Sequence, residues 1–307
     1  MLNVGWIGLG AMGAPMAVVL ARAGHDPTGY DLSQAALAAA GSHGVTTATT
    51  VADAARHADV LGIMVATPAQ AEAVLFGDGG AASTLHEGAV VLVMSTVGPA
   101  PVEEWAGRLG QLGVDVVDAP VSGGVARAAA GDLLVMVSGS DAAVATVRPL
   151  LEALSRTFPV VGPRPGDGQR VKLVNQLLCG VHIGVAAEAL AFAESLGLSV
   201  AATWEVLRHG AAASFMLEDR GARMIESSAG EVRSALDIFV KDMGLVLDAA
   251  RGTGFVAPLA TTAAQLYEIG HRAGLGREDD SSIIEVLRGG VEDATTSSGQ
   301  ASSAAQT

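Results

Sequence analysis

Short apolar runs alternate with alanine-rich stretches through the first half of the chain. The first run covers residues 2–8, and a glycine-rich turn and a helical stretch at 14–23 follow it. Further runs of strand length end near Tyr30 or cover 60–66, 89–94, 114–117, 133–138 and 157–161. Strands that alternate with helices are typical of crossover connections on a parallel sheet. The pattern therefore predicts a doubly wound α/β domain of the Rossmann type over residues 1–162.

The pattern changes at a cluster of proline and glycine residues, VGPRPGDG, at 161–168. No strand pattern follows this loop signal, so we expect an all-helical second domain over 163–290. Its helical windows lie near 169–197, 200–210, 215–226, 236–252, 257–273 and 280–288. The first window exceeds about 25 residues, which suggests an interdomain helix or a helix in a subunit interface. The small, polar tail at 291–307 is expected to be disordered.

Composition and charge exclude several kinds of partner. Half of the residues are hydrophobic, but the most apolar stretch, 171–192, contains Lys172, Asn175 and Glu188. These polar residues favour a buried helix over a membrane span. The net charge of −14 argues against a nucleic-acid partner, which would need a basic face. A single cysteine, Cys179, and an amino terminus without a basic leader are typical of a cytoplasmic protein.

The sequence GLGAMG at 8–13 lies between a predicted strand and a predicted helix. In the G-x-G-x-x-G pattern the first glycine permits a tight turn, the second lets a pyrophosphate approach the backbone, and the third lets helix and strand pack closely. A glycine-rich turn without a ligand is the alternative. We predict that the turn binds a dinucleotide through Gly8, Leu9, Gly10, Ala11, Met12 and Gly13.

Asp31 follows Gly13 by eighteen positions, at the end of the second predicted strand. A carboxylate there can accept the hydrogen bonds of an adenosine ribose and would repel an additional 2′-phosphate. Leu32 and Ser33 come next, and neither can receive that phosphate as an arginine would. The position therefore favours NAD over NADP. Asp31 could instead cap the next helix, a role that Ser33 can also fill.

Two later segments carry candidate chemistry. Residues 118–124, DAPVSGG, end a strand with small residues whose backbone N–H groups can hold a carboxylate. In GDGQRVKLVNQ, at 166–176, Lys172 precedes Asn175 by three positions and Gln176 by four, so all three side chains can share a helix face. A lysine in an apolar stretch can equally be structural, with its ammonium at the surface. Since no Cys/His cluster has the spacing of metal ligands, we expect no metal.

These motifs, with Ser95-Thr96 and VKDMGLVLDAA at 240–250, resemble in order those of the β-hydroxyacid dehydrogenase family, which includes 3-hydroxyisobutyrate dehydrogenase. The resemblance covers roughly 1–288, and it is strongest to the branch that contains L-threonate dehydrogenase. It implies a Rossmann domain, an all-helical domain built on a long interdomain helix, and a homodimer or homotetramer. It also implies that the chain is an oxidoreductase that acts on a small anionic hydroxy acid.

The resemblance assigns roles to individual residues. It implies that Lys172 is the general acid/base and that Ser122, Gly123 and Gly124 bind the substrate carboxylate. Either Asn175 or Gln176 would contact the substrate, because many members have two asparagines there. The remaining positions expected to line the cofactor site are Thr67, Thr96, Lys241 and Asp242.

The implied reaction moves a hydride between the alcohol carbon and nicotinamide C4, while Lys172 takes or returns the hydroxyl proton. The pKa of this lysine is then expected to fall from about 10.4 to roughly 7–9, through burial and the neighbouring nicotinamide cation and Lys241. Oxidation of the hydroxy acid should accordingly become faster as the pH rises.

Ser234 stands where many family members have a phenylalanine near the substrate. A hydroxyl there favours a polyhydroxylated substrate, and the resemblance to the L-threonate dehydrogenase branch implies a four-carbon sugar acid such as L-threonate. Tartronate semialdehyde, a glyoxylate-type acid and 3-hydroxyisobutyrate are the alternative substrates. A non-catalytic NAD-binding regulator and an imine reductase are the alternative functions, and Lys172 argues against both.

Overall fold

Valine-rich segments form the central strands of the main sheet, because branched side chains pack well on a pleated surface buried on both faces. The computed structural model describes residues 2–226 and 232–289. The strands are β1 (Asn3–Ile7), β2 (Asp26–Tyr30), β3 (Thr46–Thr47), β4 (Val60–Ile63), β5 (Val90–Val93), β6 (Asp115–Asp118), β7 (Val121–Ser122), β8 (Leu133–Val135), β9 (Val137–Ser138), β10 (Ser155–Thr157) and β11 (Val160–Gly162). The predicted tail at 291–307 lies outside the described residues.

The helices of the first half connect these strands, and those of the second half follow one another. They are α1 (Gly13–Arg22), α2 (Gln34–Gly41), α3 (Val51–Ala55), α4 (Pro68–Phe76), α5 (Pro99–Gly110), α6 (Gly124–Ala130), α7 (Asp141–Leu154), α8 (Asp167–Ser195), α9 (Val200–Leu207), α10 (Phe215–Ile225), α11 (Leu236–Thr253), α12 (Pro258–Arg272) and α13 (Ile283–Leu287).

The main sheet has eight strands in the order β11-β9-β6-β5-β4-β1-β2-β3. From β3 to β6 all neighbouring strands are parallel. The order β6-β5-β4-β1-β2-β3 is that of a Rossmann fold. Alternate residues of β5 enter two different core clusters, Val90 and Leu92 in one and Val91 and Val93 in the other. Because side chains alternate across a strand, the sheet is covered on both faces. The predicted α/β class is confirmed.

The last strands differ from the prediction. The predicted strand at 133–138 is two strands, β8 and β9, which belong to different sheets. The chain changes sheet at Met136, whose N–H donates to the carbonyl of Pro120 instead of to a strand of the main sheet. The predicted strand at 157–161 is likewise divided between β10 and β11. Since β9 is antiparallel to β6, the sheet is mixed.

The second half of the described chain is helical, as predicted, apart from a single β-bridge between Ala235 and Asp279. The chain divides into two compact units between Leu173 and Val174, a point that lies inside α8. The first turns of α8 therefore belong to the unit that contains the sheet. By length and composition α8 could cross a membrane, but 44% of its most apolar window is buried, and core helices of soluble proteins pass the same test.

Candidate functional site

The glycine-rich turn joins β1 to α1 next to β4, where the strand order reverses. A Cβ at Gly8, whose φ is +97°, would lie 2.2 Å from the carbonyl oxygen of Met64, and one at Gly13 would lie 2.0 Å from that of Gly8. A Cβ at Gly10 would meet no described atom within 4 Å. Backbone packing thus explains the first and third glycines, whereas Gly10 leaves room for a ligand. The turn fits the pyrophosphate of a dinucleotide at the switch point of the sheet.

Substitution of these glycines separates folding from cofactor binding. We expect Gly10→Ala to leave the free energy of unfolding within about 0.5 kcal/mol of the parent value, because the added methyl group meets open space. It should nevertheless weaken NADH binding. Gly13→Ala should lower the free energy of unfolding by roughly 1–3 kcal/mol, because its methyl group overlaps a backbone oxygen. Thermal unfolding and NADH fluorescence titration measure the two effects, and an unchanged NADH affinity in Gly10→Ala would count against the site.

Asp31 links the glycine-rich turn to the end of β2. Its Oδ2 accepts a hydrogen bond of 2.7 Å from the N–H of Leu9, and its Oδ1 accepts one of 2.8 Å from the N–H of Ser33. Ser33 caps α2 through the N–H of Ala36, so Asp31 does not fill the alternative role of N-cap. The carboxylate is half-buried, and it lies at the strand end where an adenosine ribose binds in this fold.

The other residues of the turn and the predicted threonines differ in their surroundings. The side chain of Leu9 is buried in the core, Met12 is half-buried and Ala11 is exposed. Thr67 caps α4, since its hydroxyl accepts from the N–H of Gln70 at 3.2 Å. Thr96 is half-buried in the loop after β5.

The segment predicted to hold the substrate carboxylate follows a short strand. Ser122 ends β7 and is half-buried. Gly123 and Gly124 have φ values of +142° and +74°, which a residue with a Cβ rarely adopts. A Cβ at Gly124 would meet no described atom within 4 Å, so the space in front of this glycine is open.

Lys172 lies in the second turn of α8 and is only 6% exposed. This low exposure does not fit a side chain whose ammonium extends into solvent. A buried amine in the same compact unit as the glycine-rich turn and the 122–124 segment is a candidate proton donor and acceptor.

Asp118 was not among the candidates from the sequence, although it opens the DAPVSGG motif. It is fully buried at the end of β6. Its Oδ2 accepts from the N–H groups of Gly166 and Gln169, at 3.0 and 2.9 Å, and from the hydroxyl of Ser138 at 3.3 Å. Its Oδ1 accepts from the side-chain amide of Gln169 at 2.8 Å. The carboxylate therefore anchors the amino-terminal end of α8.

A second group of predicted residues lies in the helical unit. Asp242 is 2% exposed, and its carboxylate accepts from the ammonium of Lys241 at 2.6 Å and from the amide of Gln176. The NH₂ of Gln176 faces this carboxylate, so the carbonyl of Gln176 faces Asn175. The Nδ2 of Asn175 donates to that carbonyl oxygen at 2.8 Å. Asp242 thus fixes the orientation of both amides, and it leaves Asn175, which is half-buried, the more accessible of the two.

Ser234 is held by the acidic run at 278–280. Asp279 accepts from the N–H of Ser234 at 3.2 Å, and the N–H of Asp280 donates to the carbonyl of Ser234 at 2.7 Å. Both aspartates are buried, whereas a run of charges in a sequence usually indicates a solvated face. Hydrogen bonds from Ser281 and Arg233 lower the pKa of Asp279 against the effect of its burial.

Among the described residues, no group of three or more His, Cys, Asp or Glu side chains could hold a metal ion. A family model described as the NAD binding domain of 6-phosphogluconate dehydrogenase matches residues 3–162. A second, described as NAD-binding of NADP-dependent 3-hydroxyisobutyrate dehydrogenase, matches residues 166–287. The glycine-rich turn and Asp31 lie within the first match, and Lys172 lies within the second.

Several proteins are similar to the chain over nearly all of its length. L-threonate dehydrogenase of Escherichia coli K12 is 40% identical over 290 residues, which cover 94% of this chain and 95% of that protein. 2-Hydroxy-3-oxopropionate reductase of the same strain is 35% identical, with coverage of 93% and 97%. A crystal structure of 3-hydroxyisobutyrate dehydrogenase from Salmonella typhimurium has a TM-score of 0.87 at 40% identity and covers 92% of this chain and 99% of that one. The three names agree on oxidoreductase chemistry and differ in the substrate.

Proposed function

The chain belongs to the 3-hydroxyisobutyrate dehydrogenase family of NAD-dependent hydroxy-acid oxidoreductases, and we propose that its substrate is a four-carbon sugar acid and its general acid/base is Lys172. The burial of this lysine is the observation that carries the proposal, since an amine withdrawn from water loses its proton more readily and can then serve as a base. A protein that only sensed NAD would gain nothing from an amine buried at a cost in solvation.

The proposed roles follow from the chemistry of each group. NAD, when bound, supplies the hydride acceptor, and NADH the donor. The neutral amine of Lys172 takes the hydroxyl proton in oxidation, and its ammonium returns a proton to the oxygen in reduction. The backbone at Ser122, Gly123 and Gly124 binds the substrate carboxylate, which fixes the alcohol carbon relative to the amine.

We assign the cofactor as NAD rather than NADP because of Asp31. Its half-buried carboxylate is tied to the turn through Leu9, so it cannot swing away from a ribose without breaking that hydrogen bond. A 2′-phosphate placed there would meet a like charge. NAD should therefore bind more tightly than NADP.

The amide geometry supports Asn175 as the substrate contact and Gln176 as its support. Both polar ends of the Gln176 amide are bonded, one to Asp242 and the other to Asn175. With its NH₂ turned towards Gln176, Asn175 offers its carbonyl as an acceptor for a substrate hydroxyl. An acceptor at this point suits a substrate with several hydroxyl groups.

NADH formation with a series of three- to six-carbon hydroxy acids tests the proposed function. We expect the highest kcat/KM with L-threonate or a related tetronate, and little turnover of 3-hydroxyisobutyrate. Ser234→Phe should shift this preference by roughly tenfold towards 3-hydroxyisobutyrate, because it exchanges a hydroxyl for an apolar ring. A preference for 3-hydroxyisobutyrate in the parent protein would contradict the substrate assignment, and absence of turnover with every acid would favour the regulator.

We also propose that a second copy of the chain packs against α8. Four apolar side chains, spaced four, seven and seven residues apart, share one face of this helix and are 50–64% exposed. They are Val174, Leu178, Val185 and Phe192. An apolar stripe of this length on one helix is typical of an interface in a symmetric oligomer.

Val185→Glu should convert the oligomer to a monomer, because it buries a charge in that interface. Val206→Glu makes the same change at an exposed position on α9 and should not alter the mass. Light scattering after size-exclusion chromatography measures both. A monomeric parent protein would refute the interface.

A further inference from the structure

Gln169 makes four hydrogen bonds with its side-chain amide, although it is fully buried. Its Oε1 accepts from the N–H groups of Val97 and Gly98, each at 3.0 Å. Its Nε2 donates to the carbonyl of Ser95 at 3.0 Å and to Asp118 at 2.8 Å. One side chain from α8 therefore holds the loop after β5 and the end of β6 together.

The three segments joined in this way are those that carry the proposed site. Ser95 and Val97 flank Thr96, so the side-chain amide of Gln169 is hydrogen-bonded to the backbone on both sides of that residue. Asp118 opens the loop that leads to Ser122. Lys172 follows Gln169 by three residues, which places it one helical turn further on, roughly 4.5 Å along the axis.

We propose that Asp118 and Gln169 are positioning residues that hold the amine of Lys172 at a fixed distance from the cofactor loop and the substrate loop. This inference rests on the proposed role of Lys172. Both side chains are fully buried, so we assign neither of them a contact with the substrate or the cofactor. They act through the backbone, because a shift of Gln169 moves the turn of α8 that carries the amine.

Close packing and charge support a role beyond holding the fold together. A Cβ at Gly168 would lie 2.5 Å from the carbonyl oxygen of Met136, so the amino-terminal end of α8 lies directly against the strands. Burial raises the pKa of Asp118 to about 6, although four donors offset part of that effect. An acid with a raised pKa stabilises the fold below its unfolded pKa, and this contribution is lost as the pH rises through about 6. At neutral pH the buried charge thus costs stability, and the four donors reduce that cost.

Gln169→Glu and Gln169→Met test the proposal. Glutamate replaces the donating NH₂ with an oxygen that faces both Asp118 and the carbonyl of Ser95, and methionine removes all four hydrogen bonds without adding a charge. We expect either change to lower kcat by about 100-fold, as a misplacement of about 1 Å does, while the Kd of NADH stays within about threefold. Gln111→Glu, at an exposed position after α5, is the matched control and should behave as the parent.

Exchanging the carboxylate of Asp118 and the amide of Gln169 between the two positions should restore part of the lost kcat. Asp118→Asn alone places an NH₂ against the NH₂ of Gln169 and should reduce kcat to a similar degree. In the double variant, Asp118→Asn with Gln169→Glu, the new NH₂ donates to the new carboxylate, and kcat should recover by about tenfold. Recovery is incomplete because the carbonyl of Ser95 still faces an oxygen. Asp115→Asn, at the exposed start of the same strand, is the matched control.

Hydrogen exchange provides a readout that does not depend on turnover. The amides of Val97 and Gly98 should exchange at least about tenfold faster in Gln169→Met, while those of β1 keep their protection. Faster exchange with an unchanged kcat would overturn the positioning role, and unchanged exchange would show that the hydrogen bonds do not hold the loop. If Lys172→Ala kept its activity, the proposed function would fail instead, and the exchange data would still report on the contact.

Discussion

Replacing Lys172 with alanine is expected to lower kcat for hydroxy-acid oxidation by about 10²–10⁴-fold, the usual contribution of a general base. In this variant the hydroxyl proton would have no side-chain acceptor. Lys172 is only 6% exposed, so water does not readily replace its amine. Steady-state NADH formation with L-threonate measures the loss. NADH affinity should change little, since the glycine-rich turn is unaltered.

Lys172→Arg separates proton transfer from charge. Arginine keeps the positive charge but cannot give up its proton near neutral pH, so it can neither accept the hydroxyl proton nor act as a neutral amine. We expect this variant to be as impaired as Lys172→Ala. If Lys172→Arg retained most of the parent kcat, the lysine would act through its charge alone.

Replacing Asp280 with alanine is expected to lower the free energy of unfolding of the helical unit by about 3–5 kcal/mol. Asp280 is fully buried and pairs with Arg220 at 3.0 Å and Arg223 at 3.5 Å. Burial raises the pKa of its carboxyl, and the two arginines offset part of that effect. Removal of the carboxylate leaves Arg220 without its buried partner, while Arg223 keeps Asp279. Urea unfolding followed by helical circular dichroism measures the change.

Asp248→Ala is the matched control for that prediction. Asp248 pairs with Arg251 on α11, and both side chains are about two-thirds exposed or more. Exposed ion pairs contribute about 0–1 kcal/mol, so this variant should unfold close to the parent. Equal effects of the two substitutions would show that the buried charges do not stabilise the unit.

The order of elements and the cofactor turn could be predicted because their signals are local. A short pattern between a strand and a helix predicts the tight packing at Gly8 and Gly13, and the structure supplies its steric reason, whereas cofactor binding at Gly10 stays a prediction. The period of apolar residues likewise placed α8 and α11 to within a few residues. Signals of this kind depend on neighbours along the chain.

The buried polar contacts could not be predicted, because their partners are distant in sequence. Gln169 bonds to residues 71 to 74 positions earlier, and Asp279 pairs with an arginine 56 positions away. Nothing in the run at 278–280 distinguishes a buried aspartate from a solvated one until Arg220 and Arg223 are placed. The division of the 133–138 run into two strands has the same origin, since the hydrogen bond from Met136 to Pro120 depends on the preceding loop.

In the proposed reaction the neutral amine of Lys172 accepts the proton of the substrate hydroxyl. The pH dependence of kcat/KM for L-threonate oxidation, from about pH 6 to about pH 10, tests it most directly. We expect kcat/KM to increase with pH to a plateau in the parent enzyme, and this dependence to be lost in Lys172→Ala. A flat profile in the parent enzyme, or the same rising profile in both proteins, would contradict it.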